Sequence, residues 1–378
     1  MVTLLRNSIQ KVFFMLIAGA VFLAMKSPDQ KPVVIGYVVG FNGLINPETI
    51  DATQLTHINY AFVNIKDNKA YLENGQRDVE NLKRLNTLKQ KNPSLQILIS
   101  IGGWAWSENF SDAVLTDSSR KDFAASAVDI IRKYGLDGVD IDWEYPGIPG
   151  EEGNVFRKED EENFTLMFKT LREELDILAK ETGKKKLLTT ATGGFPSFLA
   201  QTDMGKAQQY LDYINLMTYD FYPHQVAGHH TNLYASKAYP TENSADKAVK
   251  AYINAGVPAA KIVIGLAFYS RNLKLTAIAQ KGLGDSIASM ANHYGKGFTF
   301  LKDSLINQKG FIAYKDEDAK APFMFNAATK QFISYDDEWS VANKCEYVLQ
   351  HKLGGVMFWE YHSDTKGYLL NQITKSFK

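Results

Sequence analysis

Residues 137–144 read Asp-Gly-Val-Asp-Ile-Asp-Trp-Glu, and this stretch limits the possible folds more than any other. Asp140, Asp142 and Glu144 alternate with Val139, Ile141 and Trp143. A period of two is that of a β-strand, so three carboxyl groups leave one face and three apolar side chains leave the other. At a rise of about 3.3 Å per residue, successive carboxyls stand roughly 6–7 Å apart. A strand covered by helices on both faces normally reads as a continuous apolar run, and this one does not. Carboxyls held together repel one another, so some hold protons and titrate as a group. That costs stability, which a functional site tolerates. Two other arrangements remain open from the residues alone: a solvated edge strand with an acidic outer face, and a metal site. Acids two apart on one strand converge poorly on a single ion, and no histidine stands nearby.

Composition removes several classes of function. The 378 residues are 45% hydrophobic, ample for one large core. Forty-two basic residues balance forty-two acidic ones, with no basic stripe, so nucleic acid is not an expected partner. Cys345 is the sole cysteine, which leaves no internal disulfide, and a buried inert thiol is expected there. At the N-terminus, Arg6 and Lys11 precede the apolar run Val12 to Ala24, which is short for a membrane span. Residues 1–25 are therefore expected to export the chain to the periplasm or the medium, with Ala18-Gly19-Ala20 or Ala24 as cleavage candidates. An uncleaved segment would anchor it to a membrane. Lys26 to Lys31 reads as a polar linker.

From residue 33 onward, β-rich runs alternate with helical patterns. The runs are Val33–Val39, His57–Ile65, Leu95–Ile101, Asp137–Glu144, Leu187–Thr192, Tyr213–Tyr219, Ile262–Phe268 and Gly354–Trp359. Amphipathic candidates between them are Asp78–Gln90, Ser119–Tyr134, Glu159–Thr182, Ala245–Ala255 and Ser340–Leu353. Eight strands alternating with helices predict a (β/α)8 barrel, the TIM-barrel form of the α/β class. An open doubly wound sheet is the alternative, but no glycine-rich phosphate loop follows the first strand. The barrel is assigned to 31–270 and 336–378. The interval 271–335 is too long for a connection and is expected to be a small α+β insertion, with β-like pieces at Gly297–Leu301 and Phe332–Tyr335. Functional residues are expected at the C-terminal strand ends, where Glu144 stands.

The spacing Asp137, Asp140, Asp142, Glu144 resembles the DxxDxDxE signature of family 18 glycoside hydrolases, the chitinases and their relatives. Ser100-Ile101-Gly102-Gly103 resembles the family's SxGG pattern, and the text from Ala319 to Asp337 is similar to its insertion. The resemblance covers residues 31–378. It implies a retaining chitinase whose substrate takes part in catalysis: the 2-acetamido oxygen attacks the anomeric carbon and gives an oxazolinium intermediate. Glu144 would be the acid and base. Asp142 would hold the acetamido N–H, Asp140 would share a proton with Asp142, and Asp137 would brace the strand. Tyr219 would donate to the acetamido oxygen. Tyr37, Phe62, Gly103, Trp104, Met217, Asp220, Arg271 and Trp359 would bind sugar, with Trp359 as the floor and Trp104 as a platform. Chitin or N-acetylglucosamine oligosaccharides are the implied ligands, with no metal, no organic cofactor and a monomeric enzyme.

Some positions depart from the family pattern. Pro223-His224 stands where many relatives place a tryptophan, Ala313 where many have arginine, and Ser270 where glycine commonly precedes Arg271. These bear on chain-length preference rather than on the catalytic set. Three rival readings remain: a lectin that binds without cleaving, a hydrolase of another N-acetylglucosamine glycan, and an inactive barrel. A conventional pair of carboxylates, with Asp220 or Glu360 opposite Glu144, is the mechanistic alternative.

Overall fold

A computed structural model describes residues 31–378, apart from Tyr222, His224, Glu242, Gln280 and residues 290–293. The expected export segment, 1–25, lies outside the described residues, as does His224. Eight parallel strands form the central sheet: β1 Val33–Val39, β2 His57–Lys66, β3 Gln96–Gly102, β4 Gly138–Asp142, β5 Leu187–Gly193, β6 Tyr213–Met217, β7 Ile262–Ala267 and β8 Gly355–Trp359. Each pairs with its neighbours in sequence, and β1 pairs with both β2 and β8, so the sheet closes. The result is a (β/α)8 TIM barrel.

The acid strand shows why the chain closes this way. On its outer face, Val139, Ile141 and Trp143 are buried. Trp143 stacks on Phe110 at 5.1 Å and leans on Phe164, which comes from the helix Asp160–Thr182. Burying each such side chain contributes about 1.5–3 kcal/mol. The acids therefore turn inward. Parallel register sets Asp140 level with Ser100 on one side and Thr189 on the other, so hydroxyls flank it inside the barrel. At the entrance to the strand, Asp137 accepts from the Ile97 N–H at 2.8 Å and pairs with Lys89 at 2.6 Å, which fixes its start.

Between β7 and β8 the chain builds a second sheet, antiparallel and six-stranded. Tyr269–Leu275 lies beside Gln331–Ser334, which is followed outward by Ala321–Asn326 and Ile312–Asp316. The short strands Ile287–Ser289 and Tyr294–Gly297 also pair with Tyr269–Leu275. Leu273, Leu275, Phe323, Phe325 and Phe332 form its core. Of the piece Gly297–Leu301, expected to be β-like, Gly297 ends the strand Tyr294–Gly297 and the rest begins a helix, Phe298–Ser304. Phe298 and Leu301 are its buried residues, and a spacing of three is helical, which two apolar residues in a short window do not reveal.

A fully buried ion pair joins this sheet to the barrel. Lys344 Nζ, on the helix Glu338–Gln350, donates to both Asp336 oxygens at 2.8 and 2.7 Å and to Thr231 Oγ1 at 2.7 Å. Asp336 also accepts from Thr231, Ser340 and the Ala267 N–H at the end of β7. Cys345, beside Lys344, is buried, and burial pushes its thiol up to about 12.

Candidate active site

A cleft of about 730 Å³ opens at the C-terminal ends of the barrel strands. Its acidic lining residues are Asp142, Glu144 and Asp220. Around them stand Phe41, Phe62, Trp104, Trp106, Tyr145, Phe195, Met217, Tyr219 and Trp359, so a polar centre sits in an aromatic bowl.

Asp140 lies beneath, with no exposed surface. It accepts from Tyr37 at 2.9 Å, Ser100 at 2.7 Å, Thr189 at 2.5 Å and Asn215 at 3.2 Å. Burial raises its pKa, and these four neutral donors oppose the rise. Donors that satisfy a carboxylate stabilise the ionised form, but burial outweighs them and the net shift is upward.

Asp142 is buried too, but its Oδ1 has no hydrogen-bond partner among the described residues. Burial first, then the charges of Glu144 and Asp140, push its pKa well above the ordinary value. Glu144 follows directly after Trp143 and is partly open to the cleft. Burial is the main reason its pKa rises from 4.5 to about 7; Tyr145 opposes the rise, and Asp220 and Glu151 add to it. Its main chain is held on both sides. The Glu144 N–H donates to Ser107 Oγ at 2.9 Å, and Asn154 Nδ2 donates to its carbonyl at 3.1 Å. Ser107 in turn donates to the Gly103 carbonyl at 2.8 Å.

The paired glycines let this loop close on the acid strand. Gly102 has φ +105, and a Cβ there would lie 2.2 Å from the Asp142 carbonyl oxygen. The Gly103 N–H donates to that same oxygen at 2.7 Å. Gly102 lines the cleft, whereas Gly103 braces it from behind. Trp104, next in sequence, is 49% exposed at the rim.

On the opposite wall, Asp220 is gripped by Arg271, with Nε and Nη2 donating to its two oxygens at 2.7 and 2.6 Å. His230 Nδ1 lies 3.3 Å from the same carboxylate. Burial works against ionisation, but His230 and Arg271 outweigh it and hold Asp220 well below the ordinary carboxylate range. Glu360 is not a cleft residue. It accepts from the His362 N–H at 2.9 Å and Ser363 Oγ at 2.8 Å, capping the turn Tyr361–Asp364. Neither is a free second carboxylate.

Among the other expected residues, Tyr219 and Met217 line the cleft, and the Tyr219 hydroxyl lies 3.7 Å from Met357 Sδ. Trp359 stacks on Phe62 at 5.4 Å with 16° between planes. Tyr37 is 1% exposed and sits under the floor, 5.8 Å from Trp359, as a donor to Asp140 rather than a lining ring. Sequence reasoning missed Ser107, His230, Tyr145, Phe195, Tyr269 and Tyr294. Only the aromatics among them carried any signal, because Ser107 and His230 act through contacts that no spacing reveals. Among the described residues, no three His, Cys, Asp or Glu side chains are grouped to hold a metal ion.

With this geometry in hand, comparison with known proteins is specific. The sequence pattern of the glycosyl hydrolases family 18 matches residues 33–364. The chain is 36% identical to Chitinase A1 of Niallia circulans over 90% of its own length, and spans 58% of that relative. It is similar to a solved family 18 N-acetylglucosaminidase from Paenibacillus barengoltzii, at 41% identity and a TM-score of 0.85, covering 91% of this chain and 99% of that one. It is also similar to a cell-surface-expressed multi-modular chitinase from a Paenibacillus species, at 38% identity and a TM-score of 0.85, covering 92% of this chain and 43% of that one.

Proposed function

The chain belongs to the glycosyl hydrolases family 18, and from that premise we propose that it is a chitinase cleaving β-1,4 links between N-acetylglucosamine units with retention. One observation carries the mechanism. Two neighbouring cleft acids, Glu144 and Asp142, have raised pKa values and lie on the same side, and among the described residues the acid lining the wall across from them, Asp220, is locked to Arg271. A conventional glycosidase needs two working carboxyls. The missing nucleophile is supplied by the substrate.

Glu144 enters protonated and gives its proton to the leaving glycosidic oxygen as that bond breaks. The acetamido carbonyl oxygen of the same sugar forms the new bond to the anomeric carbon, and the ring so closed carries the positive charge. Asp142, through its unpartnered buried Oδ1, accepts from the acetamido N–H and stabilises that charge. Tyr219 donates to the acetamido oxygen and aims it. Asp140, bound by its four donors, lies below and shares a proton with Asp142. Water then attacks the anomeric carbon, Glu144 takes its proton, and the acetamido group is released. Trp359, backed by Phe62, carries the reacting sugar. The enzyme works as a monomer.

We also propose that residues 1–25 export the protein. Among the described residues, no helix is long and apolar enough to cross a membrane. Detecting mature protein outside the cytoplasm, with a new N-terminus between residues 18 and 31, tests this.

Substrate assistance is tested by comparing N-acetylglucosamine oligomers with fully de-acetylated ones. The proposal expects turnover of the first, none of the second, and a loss of roughly a thousandfold in Glu144→Gln. Comparable cleavage of glucosamine oligomers would rule the mechanism out. Binding without turnover by the wild type would favour a lectin.

A further inference from the structure

Glu144 stands outside the sheet that carries the other acids. β4 pairs with β3 as far as Gly102 opposite Asp142, and with β5 as far as Ala191 opposite Asp142. Glu144 lies beyond the pairing on both sides, so its main-chain groups need partners from elsewhere. Two side chains supply them. Ser107 accepts from the Glu144 N–H, and Asn154 donates to the Glu144 carbonyl.

The two anchors differ in depth. Ser107 is 1% exposed, and its hydroxyl meets three main-chain groups. Besides accepting from Glu144, it donates to the Gly103 carbonyl behind the turn Trp104–Trp106 and lies 3.2 Å from the Asp142 carbonyl. The Gly103 N–H donates to that same Asp142 carbonyl. One hydroxyl therefore ties the loop after β3 to the residues on either side of Trp143. Asn154 is half-buried in the loop that follows the acid. Gly150 packs against the same carbonyl oxygen of Glu144, where a Cβ would fall 2.0 Å away.

Any shift of the main chain displaces the carboxyl it carries, and a misplacement of about 1 Å can cost roughly a hundredfold in rate. The sheet itself fixes Asp142, but it does not reach Glu144. The structure assigns Ser107 and Asn154 as positioning residues for the acid: they set where the Glu144 carboxyl stands over the scissile bond relative to Asp142. Neither lines the cleft, so neither contributes to holding the sugar. This rests on the chitinase reading above. Ser107 carries more of the effect, because water can stand in for the half-buried Asn154 and not for a buried hydroxyl.

The test measures kcat and KM on a chitin oligomer across pH for the wild type, Ser107→Ala, Asn154→Ala and Ser119→Ala. Ser119 serves as the control, since it is also buried but its hydroxyl caps the helix Asp117–Tyr134. For Ser107→Ala, kcat should fall about tenfold while KM changes less than about twofold. Tenfold corresponds to ~1.4 kcal/mol, the size of one buried hydrogen bond. The limb near pH 7 should move toward 4.5, because a carboxyl released from its place is less desolvated. Asn154→Ala should show the same signature with a smaller amplitude. Ser119→Ala should lower the unfolding midpoint and leave kcat and the limb unchanged. A loss carried in KM, an unmoved limb, or an equal effect of Ser119→Ala would overturn the inference. If Ser107→Ala does not fold, Asn154→Ala decides by the same split between kcat and KM. If the wild type cleaves no oligomer, the functional reading fails, and carbon NMR titration of Glu144, assigned by its loss in Glu144→Gln, still decides this one. A midpoint lowered in Ser107→Ala upholds the anchor, and an unchanged midpoint removes it.

Discussion

Glu144→Gln is expected to make the protein more stable, and only at pH values where the carboxyl would be ionised. Burial raises Glu144 from 4.5 to about 7 in the fold. The folded state therefore binds this proton more tightly than the unfolded chain does. As pH rises from about 4.5 to about 7, the unfolded chain releases its proton first, and stability falls across that window. At ~1.36 kcal/mol per pH unit, the whole displacement amounts to roughly 3.4 kcal/mol. The carboxyl is partly open to the cleft, and solvent screening reduces this to about 1–2 kcal/mol. Glutamine keeps the shape and removes the charge, and it also removes the repulsion felt by Asp142. Thermal unfolding of the two proteins in parallel should therefore give equal midpoints near pH 4.5. The variant should lead by on the order of 2 °C near pH 8. A lead independent of pH, or a variant less stable than the wild type at pH 8, would refute the claim that folding strains this carboxyl.

Other outcomes follow from the same contacts. The free enzyme needs Glu144 protonated, so kcat/KM on a chitin oligomer should fall as pH rises through about 7, while Asp220, held strongly acidic by Arg271, gives no limb in the ordinary carboxylate range. Lys344→Met leaves Asp336 buried without its cation and should cost about 3–5 kcal/mol in denaturant unfolding, with the double variant Lys344→Met, Asp336→Leu recovering part of it. Gly102→Ala places a methyl against the Asp142 carbonyl at positive φ, so the acid strand must shift; a loss of activity larger than the loss of about 1–2 kcal/mol in stability is expected, read from kcat beside the unfolding midpoint.

The barrel was legible because its strands are buried on their outer faces and short. The run Val33–Val39 coincides with β1, and the other seven agree within two residues at either end. The main discrepancy lies at the acid strand, where pairing stops at Asp142 and Glu144 stands just beyond. Alternation alone cannot locate that end, because Trp143 is still buried on the apolar side. The inward acids were legible as well, since three carboxyls opposite three apolar residues admit few arrangements. What sequence could not give were the contacts made by unpatterned polar residues. Ser107 bracing Glu144, His230 beside Asp220, and Lys344 with Asp336 join positions 37, 10 and 8 residues apart, with no periodicity to reveal them. In the second sheet, the expected β-like piece Phe332–Tyr335 overlaps the strand Gln331–Ser334, whereas the pairing of that strand with Tyr269–Leu275 joins segments far apart along the chain, which no local pattern reveals. Tyr37 matched the expected set of residues but serves Asp140 from below, a distinction of depth that strand period leaves unresolved.

The central claim, substrate-assisted cleavage with Glu144 as acid and base, is tested most directly by the anomeric form of freshly released product. Proton NMR within the first minutes of N-acetylglucosamine oligomer hydrolysis should show β-anomer ahead of mutarotation, because two displacements at the anomeric carbon restore the starting configuration. An initial excess of α-anomer would mean a single displacement by water. In that case a second carboxylate, and not the acetamido group, would have to be at work.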